Sequence, residues 1–338
     1  MASSTSASRT TGIRLLGMAL AFIGLGVLTF FLSGPTNPQG GSWSTPREIK
    51  VLTYSAFGNA LGPGPEIAKL FDQEFGVKVI YQDAGDAGLL LQKLTLFPSD
   101  VVLGLDQFSI VHATERFKWR NWEGGAEFTA FDQSALTFVY RKDETNPPTT
   151  LEELLDKRFA DALVIEDPST SSPGLQFFYW VLDSQGIENG FAFLANLKPS
   201  LRAVSPSWSS AYGLFTKRQA KLAYSYLTSP VYHWVEEKNL NYRPVVFSEG
   251  MPVQVEYAGV PQSCINCESA HQFIQFLLRP DVQKIIMTKN YMLPVVSEVV
   301  HGTEFEKLPS FKEYEWKNLP YLIEHRDELL NRWRGLNL

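Results

Sequence analysis

The sequence from Ser207 to Lys238, SWSSAYGLFTKRQAKLAYSYLTSPVYHWVEEK, decides the fold. It predicts a helix from Trp208 to Lys217 and a buried strand from Lys221 to Tyr226. A second helix is indicated by Ser229-Pro230, because proline suits the first helical turn. Three aromatic residues lie where these elements begin or end: Trp208, Tyr226 and Tyr232. Ligands bind at such places in open α/β sheets, so the stretch predicts one side of a binding cleft. The alternative is that each ring is an ordinary core residue.

The rest of the chain suits a large α/β protein. Its 338 residues, 44% of them hydrophobic, can form two lobes or one large domain. The predicted strands IKVLTYSAF (49–57), VKVIYQD (77–83) and SDVVLGLD (99–106) alternate with helices, which indicates a mainly parallel sheet. The pattern restarts after Phe131, and the C-terminal third is predicted to be helical. The net charge of −6 and the absence of Lys/Arg runs argue against nucleic-acid binding.

Catalytic and metal-binding motifs are missing from the sequence. It has no GxSxG elbow, no Walker A loop and no GxGxxG after a strand, so no enzyme is predicted. The only two cysteines, Cys264 and Cys267, are too few for a structural zinc site, and no HExxH motif supports another metal. In an oxidising compartment they would form a local disulfide near the start of the helix that carries His271 and Phe273.

The N-terminus indicates export. A polar segment with Arg9 and Arg14 precedes eighteen uncharged, mostly apolar residues from Leu15 to Leu32, and a Pro/Gly/Ser-rich linker follows. The arginines keep the N-terminus cytoplasmic, so the rest of the chain is expected outside the cytoplasmic membrane. The apolar run just reaches transmembrane length and no A-x-A-like site follows it. A cleaved signal and a retained anchor both fit, and the bulky residues before Ser33 favour the anchor.

Seven segments resemble the periplasmic thiamine-binding proteins of bacterial ABC importers, in the order of that family. They are LTYSAFGNALGPGP (52–65), SDVVLGLDQ (99–107), EDPSTSSPGLQF (166–177), WSSAYGLFTK (208–217), SYLTSPVYHWVEEK (225–238), FSEGMPVQVE (247–256) and NYMLPV (290–295). The resemblance implies a type 2 periplasmic-binding-protein fold, in which crossing strands join two α/β lobes and the ligand lies between them. The domains expected from it are a signal peptide or anchor (1–34), a linker (35–46), a first lobe (47–107 and 230–338) and a second lobe (108–229).

The resemblance also implies a set of ligand-binding residues. They are Tyr54, Asp86, Ala87, Ser171, Ser172, Trp208, Tyr226, Leu227, Thr228, Ser229, Tyr232 and Tyr291. Three of these depart from the family pattern: Ala87 replaces a glycine, Leu227 a threonine and Tyr291 a frequent tryptophan. Asp86, Ser171 and Ser172 are alternatively simple helix caps.

The function implied is a monomeric, extracytoplasmic receptor without a cofactor. It would carry thiamine, and also thiamine phosphates, to an ABC permease with its ATPase subunit. A thiazolium cation next to an aminopyrimidine favours aromatic faces and carboxylates, and Ser171 and Ser172 before a helix start would bind a phosphate. Two alternatives remain: a ferric-ion receptor of the same fold, for which an adjacent Tyr-Tyr pair is missing, and an anchored sensor ectodomain.

Overall fold

The computed structural model describes residues 47–121, 126–143 and 146–338. Ten strands are present in that part of the chain: β1 (Arg47–Thr53), β2 (Val77–Asp83), β3 (Val101–Asp106), β4 (Phe128–Arg141), β5 (Leu163–Glu166), β6 (Leu201–Ser205), β7 (Leu222–Tyr226), β8 (Tyr242–Pro244), β9 (Val253–Gly259) and β10 (Leu293–Pro294). The predicted N-terminal apolar segment and the linker after it lie outside these residues. No helix of the described ranges has the length and apolar character needed to cross a membrane.

Twelve α-helices accompany these strands over the same residues. They are α1 (Ser55–Gly58), α2 (Gly64–Phe75), α3 (Leu90–Leu94), α4 (Gln107–Arg116), α5 (Ser172–Gln185), α6 (Ile187–Leu197), α7 (Trp208–Thr216), α8 (Ser229–Val235), α9 (Cys267–Leu277), α10 (Pro280–Asn290), α11 (Leu319–Glu324) and α12 (Arg326–Gly335). Short 3₁₀ turns lie at Ala87–Leu89, Glu152–Leu155, Lys157–Phe159, Lys198–Ser200, Ser297–Val300 and Glu304–Lys307. The bounds predicted for α7 and β7 are therefore confirmed to within one residue.

The strands form a mixed sheet in the order β2-β1-β3-β9-β4-β7-β5-β6, with β8 and β10 also paired to β4. β1, β2 and β3 are parallel to one another, as are β7, β5 and β6. β4 joins these two parallel groups because its first half pairs with β9 and its second half with β7, both antiparallel. The predicted parallel α/β arrangement is confirmed, with β4 and β9 crossing between the two halves.

Each parallel group has its own hydrophobic core, which makes the fold two-lobed. The first core contains side chains from β1, β3, α2 and α9, among them Val51, Phe71 and Phe273. The second contains side chains from β5, β7 and α5, among them Ile165 and Trp180. A polypeptide that buries apolar side chains around two separate centres divides into two units joined by the strands that cross between them.

The C-terminal segment packs on the second core. The ring of Trp333 in α12 lies 5.5 Å from that of Phe178 in α5. The hydroxyl of Tyr314 donates to Asp183, and the backbone N–H groups of Lys317 and Asn318 donate to the same carboxylate. β4 contributes Phe131 to the first core. The lobe bounds expected from the resemblance, 47–107 with 230–338 and 108–229, stay a prediction.

Cys264 and Cys267 form a disulfide at the start of α9, as the CxxC spacing and the expected export predict. Their Cα atoms lie 5.3 Å apart, within the usual range for a bridged pair. The helix that follows carries His271 and Phe273, and Phe273 is fully buried in the first core. The bridge therefore closes the loop that leads from β9 into α9.

Candidate functional site

A cleft of about 620 Å³ lies at the ends of the strands and contains most of the predicted site. Eight of the twelve predicted residues line it: Tyr54, Asp86, Ala87, Trp208, Tyr226, Ser229, Tyr232 and Tyr291. They come from the loops after β1, β2 and β7 and from the ends of α7, α8 and α10. The position agrees with the general rule that open α/β sheets bind ligands beyond the carboxyl ends of their strands.

Aromatic rings form one side of the cleft, here called the aromatic wall: Trp208, Tyr212, Tyr226, Tyr232 and Tyr291. The Trp208 ring stacks on Tyr212 at 5.2 Å between centroids and 15° between planes. Its indole N–H donates to the Ser225 hydroxyl over 2.8 Å, which fixes its orientation. Ser207 caps the helix by accepting from the N–H of Ser210, so the tryptophan lies at the first position of α7.

Tyr232 and Tyr291 form the outer end of the aromatic wall. Their rings meet edge to face at 5.4 Å, and Tyr232 is 41% exposed. Tyr291 ends α10 with a φ of 55°, in the left-handed region that non-glycine residues seldom adopt, and its hydroxyl donates to Glu236. An unusual backbone conformation that directs a ring into a cleft suggests a functional role.

Asp86 connects the loop after β2 with the beginning of α7. Its carboxylate accepts from the backbone N–H of Trp208 over 3.0 Å and from that of Gly88 over 3.4 Å. Burial raises the pKa of Asp86, and these backbone donors oppose that rise. Asp86 therefore accepts from backbone N–H groups as a cap does and also lines the cleft, and its contact with a ligand stays a prediction.

Gly88, the residue after Ala87, lies close to the backbone of another loop. A Cβ on Gly88 would collide with the carbonyl oxygen of Thr170, in the loop before α5. Ala87 lines the cleft with its small side chain almost fully buried. The departure at Ala87 thus leaves a glycine one residue later, where two loops touch.

The other four predicted residues lie behind the cleft rather than on its surface. Ser172 donates its hydroxyl to Asp106 over 2.5 Å, and the Ser171 hydroxyl is buried without a hydrogen-bond partner. Leu227 belongs to the second core, and the Thr228 hydroxyl bonds Ser134 over 3.1 Å. The side chains proposed for a phosphate site are therefore buried and do not line the cleft.

A buried polar network, here called the carboxyl floor, lies at the bottom of the cleft: Asp132, Glu256, Tyr54, Asn290 and Gln254. Tyr54 donates to Glu256 over 2.7 Å, and Asn290 donates to both Tyr54 and Asp132, over 2.8 and 2.9 Å. Gln254 donates to Glu256 and to the Tyr226 hydroxyl, each over 3.0 Å. The network thus connects the crossing strands to the aromatic wall.

The two carboxyl groups of the floor have strongly perturbed acidities. Burial raises the pKa of Glu256 from 4.5 to about 7. Burial also raises the pKa of Asp132 well above its usual range, and the neighbouring Glu256 adds to that rise. Within the part of the chain that the structure describes, no lysine or arginine makes an ion pair with either carboxyl group. Two buried carboxyl groups with raised pKa values in a cleft are a feature that often marks a functional site.

The sequence held a signal for the floor that the prediction missed. In PVQVEYA (252–258) the polar side chains of Gln254 and Glu256 share one face of β9, and both are buried. Buried polar residues that alternate along a strand indicate a network, but the strand alone does not identify the partners. Asp132 lies opposite Glu256 only because β4 and β9 pair in this register.

The position of Tyr54 in this network depends on one glycine. Gly104 in β3 has a φ of +102°, and a Cβ there would lie 2.5 Å from the Tyr54 ring. The glycine therefore lets the ring pack against the strand while the hydroxyl reaches Glu256.

The chain is similar to known transport receptors over most of its length. The sequence profile of the bacterial extracellular solute-binding protein family matches residues 99–325. The thiamine-binding periplasmic protein of Escherichia coli (strain K12) is 35% identical over 277 residues, which are 77% of this chain and 84% of that protein. The solved structure of a periplasmic thiamin binding protein superposes with a TM-score of 0.79 at 32% identity, covering 86% of this chain and 96% of the other.

Receptors with other names share the fold at much lower identity. The ferric binding protein from Campylobacter jejuni superposes with a TM-score of 0.68 at 17% identity, over 85% of this chain and 99% of the other. At that level the similarity concerns the fold alone. No group of three or more His, Cys, Asp or Glu side chains suited to a metal ion occurs in the described ranges.

Proposed function

The chain belongs to the family of bacterial extracellular solute-binding proteins, and from this membership we propose that it captures thiamine and delivers it to an ABC permease. The family consists of transport receptors rather than enzymes. The observation that carries the proposal is the combination of the aromatic wall with the carboxyl floor in one cleft. The identity of the ligand is taken from the relatives at 32–35% identity, which are named as thiamine-binding proteins.

The chemistry of thiamine matches both parts of the cleft. Its thiazolium ring carries a permanent positive charge, which is attracted to aromatic faces and to carboxylates. Its aminopyrimidine ring is flat and carries hydrogen-bond donors and acceptors, so it stacks on rings such as that of Trp208. Each desolvated cation–π contact contributes on the order of 2 kcal/mol. The wall therefore supplies ring faces and the floor supplies negative charge.

The proposed ligand contacts are the predicted residues that line the cleft, with Glu256 added. Trp208, Tyr226, Tyr232 and Tyr291 would contact the rings of the ligand, and Asp86 would hold Trp208 in place through its backbone N–H. Ser171, Ser172, Leu227 and Thr228 would support the wall from behind. Transport of thiamine phosphates, expected from the two serines, stays a prediction.

We also propose that the lobes close on the ligand by bending at β4 and β9. The observation in favour is that the polar network of the floor lies on these crossing strands. A ligand shifts an open–closed equilibrium by its differential affinity for the closed form. The lobes would then comprise about 47–132 with 254–300, and about 134–252 with 309–338. Small-angle scattering should give a smaller radius of gyration with thiamine, and an identical radius would argue for a preformed cleft.

The N-terminal segment would place the receptor in the periplasm. Leu15–Leu32 would act either as a signal that is removed or as an anchor that tethers the receptor beside its permease, with the linker to residue 46 giving reach. The proposed form is a monomer that acts with the permease and its ATPase subunit. N-terminal sequencing of protein from the native host distinguishes a removed signal from a retained anchor. A mature start between Ser33 and Ser42 would mean that the signal is removed and the receptor released.

Calorimetry with thiamine tests the whole proposal. We expect one thiamine per chain and a change in tryptophan fluorescence on saturation, because Trp208 lies in the aromatic wall. Ferric ion, offered under the same conditions, should give no saturable binding. Absence of thiamine binding would refute the proposed function, and binding without any change in emission would remove Trp208 from the site.

A further inference from the structure

The two carboxyl groups of the floor face each other across the crossing strands. Asp132 in β4 and Glu256 in β9 are direct partners in the antiparallel register. The Cβ atoms of such a pair lie about 5 Å apart on the same face of the sheet. Both side chains are buried, and Glu256 also lines the cleft. The pair therefore lies at the bottom of the cleft, where Glu256 borders the cleft and Asp132 lies behind it.

The hydrogen bonds around the pair leave one place for a proton. Both oxygens of Glu256 accept hydrogen bonds, from Tyr54 and Gln254. Asp132 accepts from Asn290 with one oxygen, and its other oxygen, Oδ1, is buried without a partner. A buried carboxyl oxygen without a donor is costly to leave unsatisfied. A proton shared between the two carboxyl groups would remove that cost.

The charged and titratable groups that face the pair offer no cation to replace the proton. Tyr54 and Tyr226 approach from the ends of β1 and β7, and both phenols stay protonated because burial raises their pKa. Asp106 at the end of β3 adds a further negative charge near Glu256. From α10, Asn290 is neutral, and Lys289 at the rim of the cleft pairs with Glu66. Among these described groups, the neighbours of the pair are therefore neutral or acidic, and none is a cation paired with it.

We propose that Asp132 and Glu256 form the counter-charge for the cationic part of the ligand, and that the cation displaces a proton which the pair holds in the empty cleft. The exchange is balanced in charge: one proton leaves the pair for solvent as one positive ligand enters, and no covalent bond of the ligand changes. Glu256 would contact the ligand, whereas Asp132 would act through Glu256 as a positioning residue. The proposal rests on the proposed function because it needs a cationic ligand.

A shared proton follows from the physics of close carboxyl groups. Two like charges in a buried site cannot both form at neutral pH without compensation, so such a pair titrates in separated steps. The rise of the pKa of Glu256 to about 7, caused by burial, places one of these steps in the physiological range. A bound cation favours the ionised pair and lowers that pKa. Affinity for the cation must therefore increase with pH up to about 7 and level off above it.

Proton counting by calorimetry tests the exchange. Thiamine is titrated into the full chain in pairs of buffers that differ in ionisation enthalpy, so that the dependence of heat on buffer gives the protons released. About 0.9 proton should be released per thiamine at pH 6 and about 0.1 at pH 8, with affinity about tenfold weaker at pH 6. The uncharged aminopyrimidine half of thiamine, used as a second probe, should release none.

Two variants and one control separate charge from structure. Glu256→Gln should abolish proton release and flatten the pH dependence of affinity, and Asp132→Asn should reduce the release by at least half. Glu268→Gln, an exposed residue at the start of α9, should release protons as the wild type does. Thermal unfolding establishes that each variant is folded, and the wild-type pH series tests the proposal without any variant.

The outcomes of these experiments distinguish a failure of the proton exchange from a failure of the proposed thiamine-receptor function. If thiamine does not bind at any pH, the proposed function fails. If it binds with an affinity that is unchanged from pH 6 to pH 8 and releases no proton, the receptor function stands and the proton exchange is refuted. Equal proton release by the wild type and Glu256→Gln would also refute it, because the proton would then come from another group.

Discussion

The aromatic wall and the carboxyl floor line the same cleft but are built in opposite ways. The wall comes largely from one continuous stretch, because Trp208, Tyr212, Tyr226 and Tyr232 lie within 25 residues of one another. The floor joins Asp132 to Glu256 through the pairing of β4 with β9, across more than a hundred residues. The wall is therefore visible in the sequence, whereas the floor is visible only after the strands have paired.

The two regions also differ in how strongly solvent affects them. Tyr232 at the outer end of the wall is 41% exposed, while Asp132 is 0% and Glu256 2% exposed. Interactions of charges are much stronger in the buried floor than at the rim, because water screens them less. Substitutions in the floor should therefore alter stability and pH response, whereas substitutions in the wall should alter affinity.

The largest expected effect concerns the stability of the free protein. Because burial holds the folded-state pKa of Glu256 near 7, above its usual 4.5, the folded protein keeps a proton that the unfolded chain loses as the pH rises. The contribution of this group to the free energy of unfolding is thus largest below pH 4.5 and is lost as the pH rises to 7. Between pH 5 and pH 8 the loss should be roughly 2 to 3 kcal/mol.

Glu256→Gln should remove that loss. Urea unfolding of wild type and variant at several pH values gives the difference between them, in which the other titrating groups cancel. Between pH 5 and pH 8 the free energy of unfolding of the variant should rise by roughly 2 to 3 kcal/mol relative to the wild type, apart from a constant offset. Parallel curves for the two proteins would show that Glu256 is ionised in the folded state at all these pH values.

In the wall, Trp208→Ala should weaken thiamine binding about 100-fold. The change removes a desolvated cation–π contact of about 2 kcal/mol and a ring contact of about 1 kcal/mol. Trp208→Phe keeps a ring but loses the hydrogen bond to Ser225, so its affinity for thiamine should lie between those of the wild type and Trp208→Ala. Calorimetry measures all three proteins, and a loss below threefold in Trp208→Ala would place the ligand away from this ring.

The difference between wall and floor also explains which features could be predicted from the sequence. The alternation of strands and helices, the start of α7 at Trp208 and the end of β7 at Tyr226 depend on local patterns and were predicted correctly. Glu256, Asp132 and Asn290 were missed, because a polar residue in a strand reveals nothing of its partner until the register is known.

Ser171 and Ser172 illustrate the limit of carrying positions over from a family. Their place at the start of α5 was predicted, but the Ser172 hydroxyl donates to Asp106 of a distant strand, and the Ser171 hydroxyl is buried without a partner. The packing of the C-terminal helices also depends on a distant residue, since the partner of Trp333 lies 155 residues earlier, at Phe178. Local sequence determines which elements form, and long-range pairing determines what their side chains face.

A smaller effect is expected at the outer end of the wall. Tyr232→Ala should weaken thiamine binding about fivefold, because the exposed ring contributes about 1 kcal/mol. Tyr232→Phe keeps the ring that meets Tyr291 edge to face and should change affinity less than twofold. Calorimetry with both variants decides between ring and hydroxyl: equal losses would mean that the hydroxyl group of Tyr232 carries the contact.

The smallest effect on the cleft should come from the disulfide. Cys264 and Cys267 close a loop of only four residues, so the loop-closure entropy that the bridge removes from the unfolded chain is at most about 2 kcal/mol. The bridge lies at the start of α9, and neither cysteine lines the cleft. The double Cys→Ser variant should therefore bind thiamine with unchanged affinity and unfold at a lower urea concentration. Mass spectrometry of the non-reduced wild type should show no free thiol, and a loss of thiamine affinity in the variant would contradict a purely structural role for the bridge.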